Sequence, residues 1–150
     1  MQFEPGQDFF LRNTTASDRA ACGEMLAQYV DEGRANRFMT EFPNLLLQKD
    51  SLFKVALNSN GVIIAMIYCL GQDWQELAAN PNFLKKELKT ALVNEVKNWA
   101  LAHSFTWINI KPKLIVGDWK TWVKRMGLKM EKLPNGEERI SFVITNSELG

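Results

Sequence analysis

The sequence has few of the residues from which metal sites and nucleophilic centres are usually built. It holds one histidine, His103, and two isolated cysteines in apolar surroundings, Cys22 and Cys69. One histidine excludes a multi-histidine metal site, and nothing indicates a Ser-His-Asp or Cys-His centre. The cysteines have no metal-type spacing, so we expect buried free thiols in a reducing compartment.

The sequence also lacks a recognisable leader, a long apolar segment and a strong net charge. Its N-terminus is polar and acidic, and its longest apolar run, Val62 to Leu70, is too short to cross a bilayer. The net charge is +1, which gives no overall attraction to nucleic acid or membrane. We therefore expect a soluble, intracellular protein, in a cytoplasm or in a virion made there, with no membrane contact and no metal.

Charge is distributed unevenly along the chain. Residues 1–50 carry five Lys/Arg and eight Asp/Glu, whereas residues 111–132 carry seven Lys/Arg and two Asp/Glu. A solvated face is the commoner reason for such a basic segment. An anion or nucleic-acid site at residues 111–132, including Lys111, Lys113 and Lys120, remains a less favoured alternative.

Composition and periodicity predict one folded α/β domain over residues 1–150. Apolar residues make up 46% of the chain and charged residues 23%, as in ordinary globular domains. Asn60-Gly61 between two apolar runs predicts a β-hairpin, and Phe42-Pro43 predicts a break before a second short helix. The predicted strands are 8–13, 53–57, 62–70, 74–79, 105–110, 128–133 and 139–145, and the predicted helices begin at Thr15, Pro43, Phe83 and Gly117.

Residues 74–93 read as a strand, a turn marked by Pro81, and the start of a long amphipathic helix. A strand-to-helix turn of this kind often presents backbone N–H groups to a phosphate. This turn contains lysines and no glycine. Whether it binds a ligand decides most of what the sequence says about function.

The order of elements and several motifs resemble the GNAT superfamily of N-acetyltransferases over essentially the whole chain. Leu77-Ala78-Ala79 and Pro81 are similar to the family's strand ending in Leu-Ala-Val and the proline after it, and 122–128 resembles Phe-Tyr-x-x-Leu-Gly-Phe. Leu11 to Asp18 is similar to the family's opening motif. The resemblance implies a GNAT-like α/β (α+β) fold with a mixed, mainly antiparallel sheet of six or seven strands and about four helices.

The departures from the family pattern fall where its chemistry is located. Members hold the pyrophosphate of acetyl-CoA with an Arg/Gln-x-x-Gly-x-Gly turn, and the matching residues here are Leu84, Glu87 and Lys89. The resemblance places Val123 where a tyrosine acid is common and Val116 where an asparagine is common. The degenerate cofactor turn it implies consists of Leu84, Lys85, Lys86, Glu87, Leu88, Lys89 and Thr90.

Two residues remain as catalytic candidates under the resemblance. Glu76 stands on the strand where members often place a general base, although a hydrogen-bonded glutamate at a strand edge is an equally ordinary reason for it. Tyr68 is a substitute for the missing acid, or a core tyrosine. Trp74 and Trp107 are expected on neighbouring strands near the family's cofactor cleft, where they would fill it; Trp107 with Asn109 is alternatively part of a nucleic-acid surface.

The number of changed positions leads us to expect a GNAT-fold protein that has lost activity, has no cofactor and acts as a structural or binding component. It is similar in this respect to GNAT-like virion or accessory proteins of short-tailed phages. Its partner would be another protein or copies of itself. The alternative is a divergent acetyl-CoA-dependent N-acyltransferase, with Glu76 as base and lysines holding the cofactor.

Overall fold

The computed structural model describes residues 9–83, 85–110, 119–136 and 138–141. Seven strands and four α-helices lie within these residues. The strands are β1 (Phe9–Asn13), β2 (Ser51–Asn58), β3 (Ile63–Leu70), β4 (Asp73–Ala79), β5 (Trp107–Ile110), β6 (Lys129–Lys132) and β7 (Glu138–Ser141). The helices are α1 (Arg19–Tyr29), α2 (Glu32–Leu47), α3 (Lys86–Ala102) and α4 (Trp119–Arg125).

The seven strands form one sheet in the order β1-β2-β3-β4-β5-β7-β6. Neighbouring strands are antiparallel except β4 and β5, which are parallel and joined through α3. A parallel pair needs such a crossover because its strands begin at the same end of the sheet. The predicted mixed, mainly antiparallel sheet with about four helices is confirmed. The single domain over residues 1–150 stays a prediction.

Helices cover both faces of the sheet, and each face has its own apolar core. α3 packs on one face, where Leu88, Leu92 and Val96 join Ile67 of β3. α1 and α2 pack on the other face, where Tyr68 of β3 is buried. Because successive side chains of a strand point to opposite faces, β3 supplies both cores, as its continuous apolar run predicts.

The predicted helix break at Pro43 is wrong, because α2 runs unbroken from Glu32 to Leu47 with Pro43 inside it. A proline in a helix has no N–H to donate to the carbonyl four residues earlier, here that of Met39. Arg19 of α1 supplies the missing donor, with its Nε 2.9 Å from the Met39 oxygen. A side chain on another helix therefore satisfies the acceptor that the proline leaves over.

The hairpin between β2 and β3 is confirmed, with a longer turn than a two-residue Asn-Gly loop. Gly61 takes the left-handed conformation (φ 76°), and its N–H donates to the Asn58 carbonyl. The Asn58 side-chain oxygen accepts from the N–H groups of Asn60 and Val62, each at 3.0 Å. Gly61 is thus the residue that the turn requires.

The predicted helix start at Thr15 is confirmed as a short 3-10 turn, Ala16–Asp18, that leads into α1. The Thr15 N–H donates to Asp18 Oδ2 at 2.8 Å. Arg12 of β1 binds the same buried carboxylate through both terminal nitrogens, at 2.7 and 2.9 Å. Chiefly because of the hydrogen bond from Arg12, the pKa of Asp18 lies below its usual value. This ion pair fixes the start of α1, which packs on the same face of the sheet as α2.

Candidate active site

The centre of the candidate site is an irregularity in β4. Tyr68 of β3 pairs with Glu76 and Cys69 pairs with Trp74, so Gln75 is an extra residue in the ladder. This is a β-bulge, a feature that re-aims side chains and is frequent beside active sites. The bulge lies where the described pairing of β4 with β5 ends, at Trp74 and Ile110, while β4 itself continues to Ala79.

A buried arginine of α2 holds the bulge in place. Arg34 Nε lies 2.7 Å from Glu76 Oε1, and Arg34 Nη2 donates to the main-chain oxygen of Gln75. The two charged side chains are 9% and 14% exposed, so the pair is largely removed from water. A buried ion pair is tolerated when further hydrogen bonds accompany it, and loss of one partner leaves an uncompensated charge. The Arg34 guanidinium therefore fixes the orientation of the Glu76 side chain.

A cavity of about 140 Å³ opens beside this ion pair, between α2 and β4. Its lining residues are Arg34, Arg37, Phe38, Glu41, Leu45, Tyr68, Gln75 and Glu76. Arg34 Nη1 and Tyr68 Oη are buried here and have no hydrogen-bond partner within the described residues. Burial raises the pKa of Tyr68 to about 12, so its hydroxyl keeps its proton at neutral pH.

The two predicted catalytic residues, Glu76 and Tyr68, thus lie on neighbouring strands and line the same cavity. Tyr68 is a core tyrosine, as its ordinary interpretation predicts, and its hydroxyl makes no hydrogen bond among the described residues. The roles of Glu76 as base and Tyr68 as acid are not tested by geometry alone and stay predictions.

The predicted cofactor turn lies beyond β4, and one of its seven residues, Leu84, is outside the described residues. Lys85, Lys86 and Glu87 are exposed at the start of α3. The cap residue Lys85 makes no side-chain hydrogen bond to the helix, so the first N–H groups of α3 are not capped by it. Leu88 is a core residue, and Lys89 and Thr90 are half-buried.

A second, wider cleft of about 480 Å³ touches the same turn. It is lined by Phe9, the β2–β3 turn, and Lys85 and Glu87 of the α3 start. β1 and the β2–β3 hairpin lie on the opposite side of β4 from β5 in the sheet. This cleft therefore lies on the other side of β4 from its pairing with β5.

The two strand tryptophans do not meet in a common cleft. Trp74 is buried in the core under α3, and its indole Nε1 donates to the Glu76 carbonyl at 3.0 Å across the bulge. Trp107 stands at the beginning of β5, beneath the guanidinium of Arg139 at 5.2 Å. Since β5 pairs with β4 at Asn109 and Ile110, Trp107 lies before the described pairing of the two strands begins.

The remaining sequence-based candidates contribute little to this site. Cys22 and Cys69 are buried free thiols, as predicted, and burial raises the pKa of the Cys22 thiol to about 12. Val123 is buried in the core. Val116, Lys111 and Lys113, like the Lys120 side chain, fall outside what the structure describes, so the polyanion alternative is not tested.

The described part of the chain contains no group of three or more His, Cys, Asp or Glu side chains placed to hold a metal ion. None of its helices is long and apolar enough to cross a bilayer.

Arg34 and Gln75 are the functional residues that sequence reasoning missed. Arg34 reaches Glu76 across a separation of 42 residues, and one arginine near the start of an irregular helical segment carries no motif. The bulge at Gln75 likewise leaves no signal in the sequence, because it adds no glycine or proline to the strand. The only sequence signal for Arg34 was its charge, which is opposite to that of Glu76.

No protein-family model matches the chain, and no curated protein sequence matches it. Solved structures do match. An acetyltransferase of the GNAT family from Staphylococcus aureus Mu50 superposes with a TM-score of 0.71 at 10% identity, covering 90% of this chain and 99% of its own. The PaiA N-acetyltransferase from Thermoplasma acidophilum, in complex with coenzyme A, gives 0.67 at 13% identity, with 89% and 98% covered. A dodecameric spermidine N-acetyltransferase from Vibrio cholerae gives 0.65 at 10% identity, with 95% and 96% covered.

These matches establish the GNAT fold for this chain. They also correct the expectation that the protein has lost activity and serves as a structural or binding component, because the proteins that share its fold are acetyltransferases, one of them solved with coenzyme A. Similarity to phage virion proteins, a homo-oligomer and a cytoplasmic location stay predictions.

Proposed function

We propose that the chain is a divergent acetyl-CoA-dependent N-acyltransferase, with its acceptor amine bound in the cavity between α2 and β4. The observation that carries the proposal is the bulge at Gln75, which brings Glu76 and Tyr68 into one cavity next to the end of the described β4–β5 pairing. The same fold in acetyltransferases supports it. Acetyl-CoA supplies an activated acetyl thioester.

Glu76 has the properties that a base at this position needs. An amine is protonated at neutral pH, and it must lose a proton before its nitrogen can attack a carbonyl carbon. The Glu76 carboxylate is held by Arg34 at 2.7 Å, beside a cavity open to solvent, so its orientation is fixed. It accepts the proton directly or through one water. Buried, anionic and oriented, it also attracts the ammonium form of the acceptor.

The residues at the start of α3 fit a phosphate-bearing cofactor without glycine. The first N–H groups of a helix and its dipole favour an anion, and Lys85 makes no side-chain bond that would occupy them. Lys85 and Lys86 are exposed there and add positive charge, which Glu87 partly offsets. Backbone donors and two lysines would thus hold the cofactor phosphates in place of the family's glycine turn.

The experiment is acetyl transfer followed by mass spectrometry, with acetyl-CoA and a panel of amines that includes amino acids, peptides, spermidine and an aminoglycoside. Glu76→Gln keeps the shape of the side chain and removes the base, so turnover should fall by about 100-fold or more. Glu24→Gln, at an exposed position of α1, is the matched control and should leave turnover unchanged. Absence of transfer to every amine, or full activity of Glu76→Gln, would contradict the proposal.

A further inference from the structure

Two buried polar atoms without partners converge on the cavity between α2 and β4. Among the described residues, Arg34 Nη1 and Tyr68 Oη are each buried and make no hydrogen bond, and both residues line this cavity. The two side chains are at least nine-tenths buried. Leaving one such group unsatisfied costs about 1–3 kcal/mol, and native proteins have few of them. Because the cavity opens to solvent, both donors are available to water or to a ligand group that enters it.

The chemistry of the two atoms defines that ligand group. An arginine N–H can donate and never accepts, while a tyrosine hydroxyl can donate as well. Two donors that face one space suit a group with two acceptor oxygens. A carboxylate has that geometry, and its hydrogen bonds to a guanidinium are stronger than those between neutral groups.

The charges around the cavity favour a ligand that carries both signs over a polyamine or a phosphate. Arg34 and Arg37 supply two positive charges, and Glu41 and Glu76 supply two negative ones. A polyamine would require a surplus of carboxylates, and a phosphate would require a surplus of cations. A balanced lining of both signs suits a zwitterion, with one charge of each sign a few ångströms apart.

We propose that the acceptor is a free α-amino acid with a small apolar side chain; this inference rests on the acyltransferase function proposed above. Its ammonium group lies against Glu76, and its carboxylate accepts from Arg34 Nη1 and Tyr68 Oη. Phe38 and Leu45 line the same cavity and contact the apolar side chain. The ammonium loses one proton to Glu76, and the new C–N bond forms as the thioester C–S bond breaks. A second proton passes from the nitrogen to the departing thiolate, so the products are an N-acetyl amino acid and the free thiol.

Three acceptors with the same side chain test the carboxylate directly. L-leucine has both carboxylate oxygens, L-leucinamide keeps one carbonyl oxygen, and 3-methylbutylamine has no oxygen at this position. The kcat/KM for acetyl transfer should fall in that order, by about tenfold or more between the first and the last, because charge-assisted hydrogen bonds are lost. Equal or better transfer to 3-methylbutylamine, or to the peptide Leu-Gly, would overturn the inference while leaving acyl transfer intact.

The two tyrosines of the chain provide a matched pair of variants. Tyr68→Phe should raise KM for L-leucine by about tenfold and leave KM for 3-methylbutylamine unchanged. Tyr29→Phe, in the half-buried tyrosine of α1, should change neither. An equal loss of kcat with both acceptors would assign Tyr68 to proton donation and overturn its role in binding the carboxylate.

Calorimetric binding of L-leucine separates this inference from the proposed function. The wild-type protein should bind L-leucine saturably without any cofactor, Tyr29→Phe should bind it equally, and Tyr68→Phe and Arg34→Lys should bind it about tenfold more weakly. If no amine is acetylated and L-leucine still binds in this pattern, the acyltransferase function fails and the amino-acid site stands. If the wild-type protein does not bind L-leucine, the amino-acid site fails, whatever acetyl-CoA does.

Discussion

The two halves of the candidate site are built in opposite ways. On the α2 side, Arg34, Glu76 and Gln75 form a buried polar cluster with short, directed hydrogen bonds. At the turn after β4, Lys85 and Lys86 are exposed, and what is available for binding is helix backbone and mobile charge. The first half is specified by particular side chains, and the second half is specified mainly by where the helix begins.

This difference bears on the expectation of lost activity, which was drawn from the changed positions at the turn and in the last helix and is corrected by the structural matches. The glycines of the family turn are missing, but backbone N–H groups belong to every residue other than proline, so their loss does not remove the donors. Under the proposed function, catalysis depends at least as much on the acceptor half, where a base must be fixed in place. In that half Glu76 is held by Arg34, which lies on a helix 42 residues away in sequence.

The largest effect should come from breaking the buried half. Arg34→Met removes the partner of Glu76 and leaves the carboxylate buried, so the free energy of unfolding should fall by about 3–5 kcal/mol in urea denaturation. Adding Glu76→Gln should recover part of the loss. Arg37→Met, one turn along the exposed side of α2, should change it by less than about 0.5 kcal/mol. Equal costs for the two arginine substitutions would show that the cluster is not the anchor described here.

The Arg12–Asp18 ion pair, which is distant from the site, is a reference for the stability effect of the Arg34–Glu76 pair. Asp18→Asn weakens the bonds from Arg12 and Thr15 and should cost about 2 kcal/mol near neutral pH. The folded-state pKa of Asp18 is lowered, so its contribution is present above its ordinary pKa of about 3.8 and is lost as pH falls through the depressed value. Urea denaturation at pH 7 and at pH 2 to 3 should show the two proteins converging in acid; a constant difference would contradict this.

Charge changes in the exposed half should alter CoA binding and leave the stability of the protein nearly unchanged. Reversing both Lys85 and Lys86 to Glu should weaken CoA binding by about tenfold, or about 1.4 kcal/mol, and the difference should shrink as salt is added. The melting temperature without ligand should barely change, since both side chains are exposed. Lys97→Glu, farther along α3, is the control, and an equal effect from it would reduce the role of the turn to general charge.

The smallest effect is expected from Tyr68→Phe on stability. Its hydroxyl has no hydrogen-bond partner among the described residues, so its removal leaves no acceptor or donor stranded. The melting temperature should stay the same or rise slightly. A marked fall in the melting temperature would mean that the hydroxyl has a structural partner and is not available to a ligand.

The sequence allowed most strands and helices to be predicted, because they leave periodic patterns of apolar residues, and the resemblance to a family supplied the fold. The resemblance also made Glu76 and Tyr68 candidates, and the structure brings both into one cavity, while their roles stay predictions. The unbroken α2 was missed because the donor that tolerates Pro43 is Arg19, on another helix. Arg34 and the bulge at Gln75 were missed for a related reason: they are defined by contacts between distant segments and leave no local pattern.

Hydrogen exchange of the full chain with and without acetyl-CoA tests most directly whether the start of α3, after the turn that follows β4, is the cofactor site. If it is, saturating acetyl-CoA should slow amide exchange in peptides covering residues 75–90, which include the bulge, the turn and the start of α3. Exchange in peptides of the β1–β2 edge should be unaffected. Unchanged exchange across 75–90 at saturating acetyl-CoA, or protection confined to the β1–β2 edge and the β2–β3 turn, would contradict the account.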